Sequence, residues 1–373
     1  MNLLRPDQIA RGKIMVRTPN WIGDAVFCLP ALRELRQALP EAELVLVARP
    51  WVLDVFPTEE LRCRVAAYDT RGKHRGIVGR WRIASQLRRE NFAAAILFQN
   101  AFDAALLAVL AGIPLRAGYA RHGRGPLLTH PVAVPRPGEI APHESHYYLE
   151  LLRRLGLIPA YPEVRQIPLS ATPAVPAMAR EQLLLRLPPE RRPLLKGKFL
   201  IGMSPGAAFG TAKRWPGERF ARLALLLHRE LDATSVFFGS AAEGPLIESL
   251  LPQAGRGAVS LAGRTSLADF IRLIPGCDLY VTNDTGTMHI AAALGVPTLA
   301  IFGPTDERAT APLGPRVRLL VGDAECRPCK LRHCPIDHRC MTSVTVNQVV
   351  EVARVCLQEQ ESDHIAWQES FLE

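Results

Sequence analysis

Asp278-Leu-Tyr-Val-Thr-Asn-Asp284-Thr-Gly-Thr-Met-His289-Ile-Ala-Ala-Ala-Leu-Gly-Val-Pro297 reads as a buried strand, a tight turn and a helix. Leu279, Tyr280 and Val281 form a short run of apolar, β-prone residues. Asn283, Asp284, Thr285 and Gly286 have turn and N-cap chemistry. Met288 to Leu294 then reads as a helix of small and apolar residues, closed by Gly295 and Pro297. A helix entered this way directs several backbone N–H groups out of its N-terminus, where its dipole also favours negative charge. Small side chains at Thr285, Gly286 and Thr287 would let a phosphate approach. An ordinary strand-to-helix turn reads the same way, so this stretch alone predicts the fold class and leaves the ligand open.

Working outward, the same alternation recurs on both sides. Downstream of Lys198, strands are expected at Phe199–Ser204, Thr234–Gly239, Leu279–Thr282 and Thr298–Phe302, and helices at Gly217–Glu230, Leu267–Leu273 and Met288–Leu294. Near the start, Lys13–Arg17 is a strand, Thr18–Asp24 a turn, Ala25–Leu39 a helix and Glu43–Ala48 a strand. Ala93–Phe98 continues as strand, Phe102–Ala111 as helix and His143–Leu155 as helix. Two such series predict an α/β protein with two Rossmann-like, doubly wound domains facing a cleft. Between them, Ile158–Lys198 carries eight prolines and only a short helix around Ala177–Leu187. The expected division is an N-terminal domain over 1–175, a linker over 176–198 and a C-terminal domain over 199–345. A final helix and tail, 346–373, is expected to pack back on the N-terminal domain.

Composition bounds the function. Hydrophobic residues at 48% and charged residues at 22% describe a globular chain with sizeable cores. No apolar run reaches the length of a membrane span, and the N-terminus has no signal-peptide pattern, so a cytoplasmic location is expected. The net charge of +9 favours an anionic partner. A nucleic-acid role is disfavoured, because basic residues are dispersed and aromatics are only 6%. Arg71-Gly-Lys-His-Arg75 and Arg121-His-Gly-Arg124 are the main basic clusters.

Four motifs carry chemistry. Asp24 follows a strand at a helix start, where a carboxylate is either a helix cap or a general base, and position alone favours the cap. Ser204-Pro-Gly206-Ala-Ala-Phe-Gly210-Thr-Ala-Lys213-Arg214-Trp-Pro216 joins a strand to a helix with two glycines and two cations, a combination suited to a diphosphate, though not with P-loop spacing. Glu243 follows another strand end and is placed either to accept from a ribose diol or simply to sit at a helix start. Cys326, Cys329, Cys334 and Cys340 fall within fifteen residues, which raises a zinc or iron–sulfur site against a plain Cys-rich loop rimmed by Lys330, Arg332 and Arg339. Their spacing is irregular, and no stoichiometric metal is expected. No Asp-x-Asp occurs, so a cation held by such a pair is not indicated. No cofactor is expected.

Arg17-Thr-Pro-Asn20-Trp21-Ile-Gly23-Asp24-Ala-Val, Gly206–Pro216, Asn283–His289 and the Cys326–Met341 loop together resemble the ADP-heptose:lipopolysaccharide heptosyltransferases, most closely the heptosyltransferase II branch. The match spans most of the chain in the family's order. One departure is Thr287, where other members often carry a larger apolar residue. The resemblance implies a GT-B architecture and an inverting transfer of heptose from ADP-heptose to the lipid-linked inner core of lipopolysaccharide. It implies Asp24 as base and Lys213 on the diphosphate. It further implies Ser204, Gly206, Arg214, Glu243, Asp284, Thr285, Gly286 and His289 around the donor, and Asn20, Trp21 and Gly23 on the acceptor side. The chemistry agrees: such a transfer needs one base and positive charge on the leaving diphosphate. An anionic lipid-linked acceptor suits the net charge and a peripheral place at the cytoplasmic face of the inner membrane. Rival readings are a nucleotide-sugar epimerase of the same architecture and a nucleotide- or glycan-binding protein without turnover.

Overall fold

Runs of apolar residues buried on both faces make the central strands of two parallel sheets. The computed structural model describes residues 3–4, 6–169, 176–187, 189 and 198–369. The chain divides into two compact units, Met1–Ile167 and Pro168–Glu373. In the first, the strands are β1 (Lys13–Arg17), β2 (Glu43–Ala48), β3 (Cys63–Ala67), β4 (Ala94–Leu97), β5 (Leu115–Tyr119) and β6 (His130–Val132). Its helices are α1 (Pro6–Ile9), α2 (Ile22–Phe27), α3 (Leu29–Ala38), α4 (Gly76–Arg89), α5 (Phe102–Leu110) and α6 (Glu144–Arg154). The sheet order is β3-β2-β1-β4-β5-β6. Val16 pairs with Leu46 on one side and with Ile96 on the other.

The second unit contains α7 (Pro176–Arg186), then β7 (Phe199–Ser204), β8 (Ala233–Phe237), β9 (Ala258–Ser260), β10 (Leu279–Asn283), β11 (Thr298–Phe302) and β12 (Val317–Val321). Its further helices are α8 (Gly217–Leu231), α9 (Gly244–Ala254), α10 (Leu267–Leu273), α11 (Gly286–Ala293), α12 (Glu307–Thr310), α13 (Arg339–Thr342) and α14 (Val346–Glu369). The sheet order is β12-β11-β10-β7-β8-β9. Counted within each unit, both orders are the doubly wound 3-2-1-4-5-6. The order reverses between β1 and β4 and again between β7 and β10, and ligands in such sheets bind outside the carboxyl ends of the strands at that point. Met15, Val45 and Leu97 anchor the first core; Met203, Trp215, Phe220 and Ile301 anchor the second.

Three expectations are corrected. The helix expected over 25–39 starts at Ile22 and breaks at Cys28 into α2 and α3, because Pro30 in the first turn of α3 cannot continue a helix from α2. The boundary falls at Ile167 and Pro168, not at 175, and 176–186 is no linker. Helix α7 packs on α10 and on the turn Ile274–Gly276, with Arg180 paired to Asp278 at 2.8 Å. A Cβ at Gly276 would stand 2.5 Å from the Arg180 backbone nitrogen, so only glycine admits this approach. The rest of the expected linker, 188 and 190–197, lies outside the described residues. Helix α14, expected on the N-terminal domain, lies on α8 of the second unit, where Val349, Val350, Ala353 and Leu357 join that core.

Candidate active site

In the second unit the loops after β7 and β10 meet at the switch point. Asn283 binds them together. As the last residue of β10 rather than a turn residue, it accepts from Trp215 N at 3.0 Å and donates to the carbonyl oxygens of Pro205 at 2.8 Å and Gly206 at 3.3 Å. Thr285 is the N-cap of α11, so Gly286 and Thr287 open the first turn and their N–H groups have no partner within the helix. Just before that turn, the Asp284 carboxylate pairs with Lys213 Nζ at 2.7 Å and accepts from Thr305 Oγ1 at 2.5 Å. Both charged side chains are nearly buried, at 12% and 6% exposed. Lys213 Nζ also lies 4.9 Å from the Phe209 ring centroid. The pair therefore stands at the positive end of α11, where the helix dipole favours negative charge.

The other expected donor residues lie around this pair with separate duties. Glu243 closes a capping box on the 3-10 turn Ala241–Glu243 that leads into α9: its Oε2 accepts from Ser240 N at 2.8 Å and from Ser240 Oγ at 2.7 Å. Its Oε1 lies against Gly206, where a Cβ would come within 1.7 Å. Gly206 thus makes room for Glu243. Ser204 is buried and shares a hydrogen bond of 2.6 Å with Tyr280 Oη, which also bonds Thr287 Oγ1 at 2.8 Å. That contact gives the departure at Thr287 a structural reason. The Nε of Arg214 is buried with no hydrogen-bond partner, an unsatisfied donor in the loop expected to hold phosphate. His289 is buried on α11.

The Cys-rich loop packs against the Lys213 loop. Ala212 N donates to Arg332 O at 3.0 Å, Thr211 Oγ1 meets His333 Nδ1 at 3.2 Å, and the Arg332 guanidinium covers Phe209. Arg327 donates to Thr305 O and pairs with Glu307 at 2.8 Å. Cys326, Cys329, Cys334 and Cys340 line one apolar cavity with Leu331 and Ile336. Among the described residues, no group of three or more His, Cys, Asp or Glu side chains is arranged to hold a metal ion.

In the first unit, β1 runs directly into the Asp24 loop. Trp21, half exposed, is the N-cap of α2, and Gly23 and Asp24 lie in its first turn, so Asp24 is not the cap. Its charge, together with burial as the larger cause, pushes the Cys28 thiol and the Tyr148 phenol well up. Asn20 Oδ1 accepts from Arg17 at 2.7 Å and from Arg49 at 3.2 Å, and its backbone oxygen accepts from Trp51 Nε1 at 2.8 Å. Asn20 thus braces the loop. Arg17 is fully buried; desolvation, then the neighbouring Arg49, bring its pKa down to about 9. Both guanidiniums lie over the Tyr68 ring, whose hydroxyl donates to Asp103 at 2.9 Å. At the end of β4, buried Arg124 donates to Tyr119 O at 2.8 Å and to Asn100 Oδ1 at 3.0 Å. The buried arginines Arg17 and Arg124 and the half-buried Arg49 were not among the expected site residues. The sequence carried Arg17 at the head of the Asp24 motif and Arg124 in a basic cluster, but nothing in it marked either as buried beside the loop.

Residues 80–339 match the model of glycosyltransferase family 9 (heptosyltransferase). The chain belongs to glycosyltransferase family 9, the heptosyltransferases. It is 30% identical to lipooligosaccharide heptosyltransferase 2 of Haemophilus influenzae, over 83% of this chain and 89% of that one. It is also 30% identical to lipopolysaccharide heptosyltransferase 2 of Salmonella typhimurium, over 93% of this chain and 99% of that one. Among solved structures, the E. coli ADP-heptose LPS heptosyltransferase II superposes with a TM-score of 0.73 at 29% identity, covering 94% of this chain and 99% of that one. This heptosyltransferase accordingly has the two-unit α/β architecture of GT-B glycosyltransferases.

Proposed function

We propose that this heptosyltransferase moves a heptose from ADP-heptose to a sugar hydroxyl of the lipopolysaccharide inner core with inversion at the anomeric carbon. The observation that carries the donor assignment is the buried Lys213–Asp284 pair at the N-terminus of α11. Asp284, oriented by Thr305, holds the ammonium ready for a diphosphate, and the first-turn N–H groups of α11 and Arg214 add donors. Glu243 Oε1, beside Gly206, supplies an acceptor for a ribose hydroxyl. Asp24 takes the proton from the acceptor hydroxyl. The freed oxygen attacks the anomeric carbon, and the bond to the β-phosphate oxygen breaks. ADP leaves with the electron pair, stabilised most by the charges that grip it as its own charge grows. The acceptor is lipid-linked, which places the enzyme at the cytoplasmic surface of the inner membrane; no described helix is long and apolar enough to cross it.

Asp24→Asn tests the base. The amide is nearly isosteric, so ADP should bind as before by calorimetry, while turnover falls by about 10²–10⁴. Transfer close to that of the parent would remove Asp24 from the mechanism. Product analysis without acceptor separates transfer from epimerisation, since only an epimerase would release altered sugar there.

A further inference from the structure

Helix α4 packs on its unit through Gly79, Ile83, Ala84 and Leu87, all buried. Its outer side begins with three apolar residues in water: Ile77 and Val78 are 73% exposed and Trp81 is 54% exposed. At positions i, i+1 and i+4 they share one side of the helix. Single exposed apolar residues are ordinary, but a cluster containing Trp at one helix end marks a contact surface. Its surroundings are strongly basic. From Thr70 to Arg89 the sequence holds seven Lys and Arg residues and no Asp or Glu. Arg71, Lys73, Arg75 and Arg82 are exposed, while Arg80 is paired with Asp103 at 2.8 Å.

The charge selects the occupant. A second copy docking through the same patch would set this all-basic segment against itself. An anionic bilayer satisfies both halves of the patch. Aliphatic tips enter the acyl boundary, an indole sits well at the headgroup level, and Lys and Arg meet lipid phosphates. Position agrees with this. β3 leads through Tyr68 to Arg75 into α4, so the patch starts at the carboxyl edge of the sheet, where β1 delivers the Asp24 loop. Tyr68 links the two, lying under Arg17 and Arg49 while its hydroxyl bonds Asp103, the partner of Arg80.

We propose that the Ile77-Val78-Trp81 face of α4 and its basic surround form a docking surface for an anionic lipid bilayer, at the edge of the unit that carries Asp24. This deepens the membrane placement given above and rests on that reading for its purpose, but on exposure and charge for its grounds. The test uses the full chain and vesicles with no glycan acceptor, so its outcome is independent of catalysis. Co-sedimentation is measured with vesicles of about one-third phosphatidylglycerol in phosphatidylcholine, and with phosphatidylcholine alone. The parent should bind the anionic vesicles and little of the neutral ones. The triple variant Ile77→Ser/Val78→Ser/Trp81→Ser and the triple variant Lys73→Ser/Arg75→Ser/Arg82→Ser should each lose about tenfold in partitioning. All six side chains are exposed, and circular dichroism verifies folding of both variants. Transfer to a short, lipid-free core oligosaccharide should stay within about twofold of the parent. Trp81→Phe should still bind while losing the blue shift of indole emission on vesicle addition. Undiminished binding by either triple variant overturns the proposal. So does a parent that sediments as a dimer which the apolar triple variant dissolves, because the face would then belong to a second copy.

Discussion

Lys213 and Asp284 are each nearly buried, and each compensates the charge of the other. Removing one leaves the other as an uncompensated buried charge, at a cost of about 3–5 kcal/mol. Lys213→Ala and Asp284→Ala should therefore each lower thermal stability clearly. Lys213→Ala should also weaken ADP binding and slow transfer. The double variant should recover stability while still binding ADP poorly, because no orphan charge remains. A double variant as unstable as the sum of the singles would show that the two residues are not coupled. The sequence singled out both positions because each is a charge among small residues in a loop that follows a strand: Asp284 directly after β10, and Lys213 between β7 and α8. Asn283 and Thr305 were not, because an amide or hydroxyl side chain chooses its partners in three dimensions. Asn20, expected on the acceptor side, also braces Arg17 and Arg49 through its Oδ1, a contact between residues brought together only by the fold.

Among the elements, α6 carries a strongly braced carboxylate, Glu150. Glu150 is buried, which pushes its pKa up, but hydrogen bonds from Arg153, Arg154 and Tyr161 outweigh that and hold it at about 2 against a usual 4.5. A depressed carboxylate stabilises the fold fully above its ordinary range and loses that contribution as pH falls from about 4.5 toward about 2. Glu150→Gln should lower Tm at neutral pH and flatten the acid limb of stability in that window. An acid limb as steep as the parent's would assign the acid sensitivity elsewhere. A second element, the Lys213 loop, depends on close approach. A Cβ at Gly210 would lie 2.2 Å from Arg332 O, so Gly210→Ala should part the two loops. ADP affinity should fall and proteolysis near the cysteines should rise; ADP affinity equal to the parent's would mean that the Cys-rich loop does not support the donor site. β10, β11 and α11 were legible from buried apolar runs and turn chemistry. β3 and β12 were not: as edge strands they are only partly buried, and their mixed residues lack a clear period.

At the scale of the molecule, one sheet order occurs twice, and the proposed transfer uses the switch point of the first unit for the acceptor and that of the second for the donor. The doubling was legible because both halves begin strand, loop, helix, strand. The boundary was not, because the proline-rich segment that suggested a linker includes a helix belonging to the second unit. The four clustered thiols line a cavity rather than meet around a point, so purified protein should contain well under one zinc or iron per chain and keep its activity in chelator. One ion per chain, removed together with activity, would reverse that assignment.

The amino edge of the first sheet has one more consequence. There Lys13, Glu43, Arg64 and Glu90 pair across β1, β2 and β3, at 2.7 Å between Lys13 and Glu90 and 2.6 Å between Arg64 and Glu43. These four charges cancel one another, while Arg17, Arg49 and the basic run of 71–82 gather at the opposite edge. A unit charged so unevenly experiences a torque as well as a pull near an anionic surface. It turns before it touches, over distances near the Debye length of about 10 Å, and most collisions then begin with the Asp24 edge leading. Raising ionic strength should therefore slow productive encounters well before it weakens the bound state.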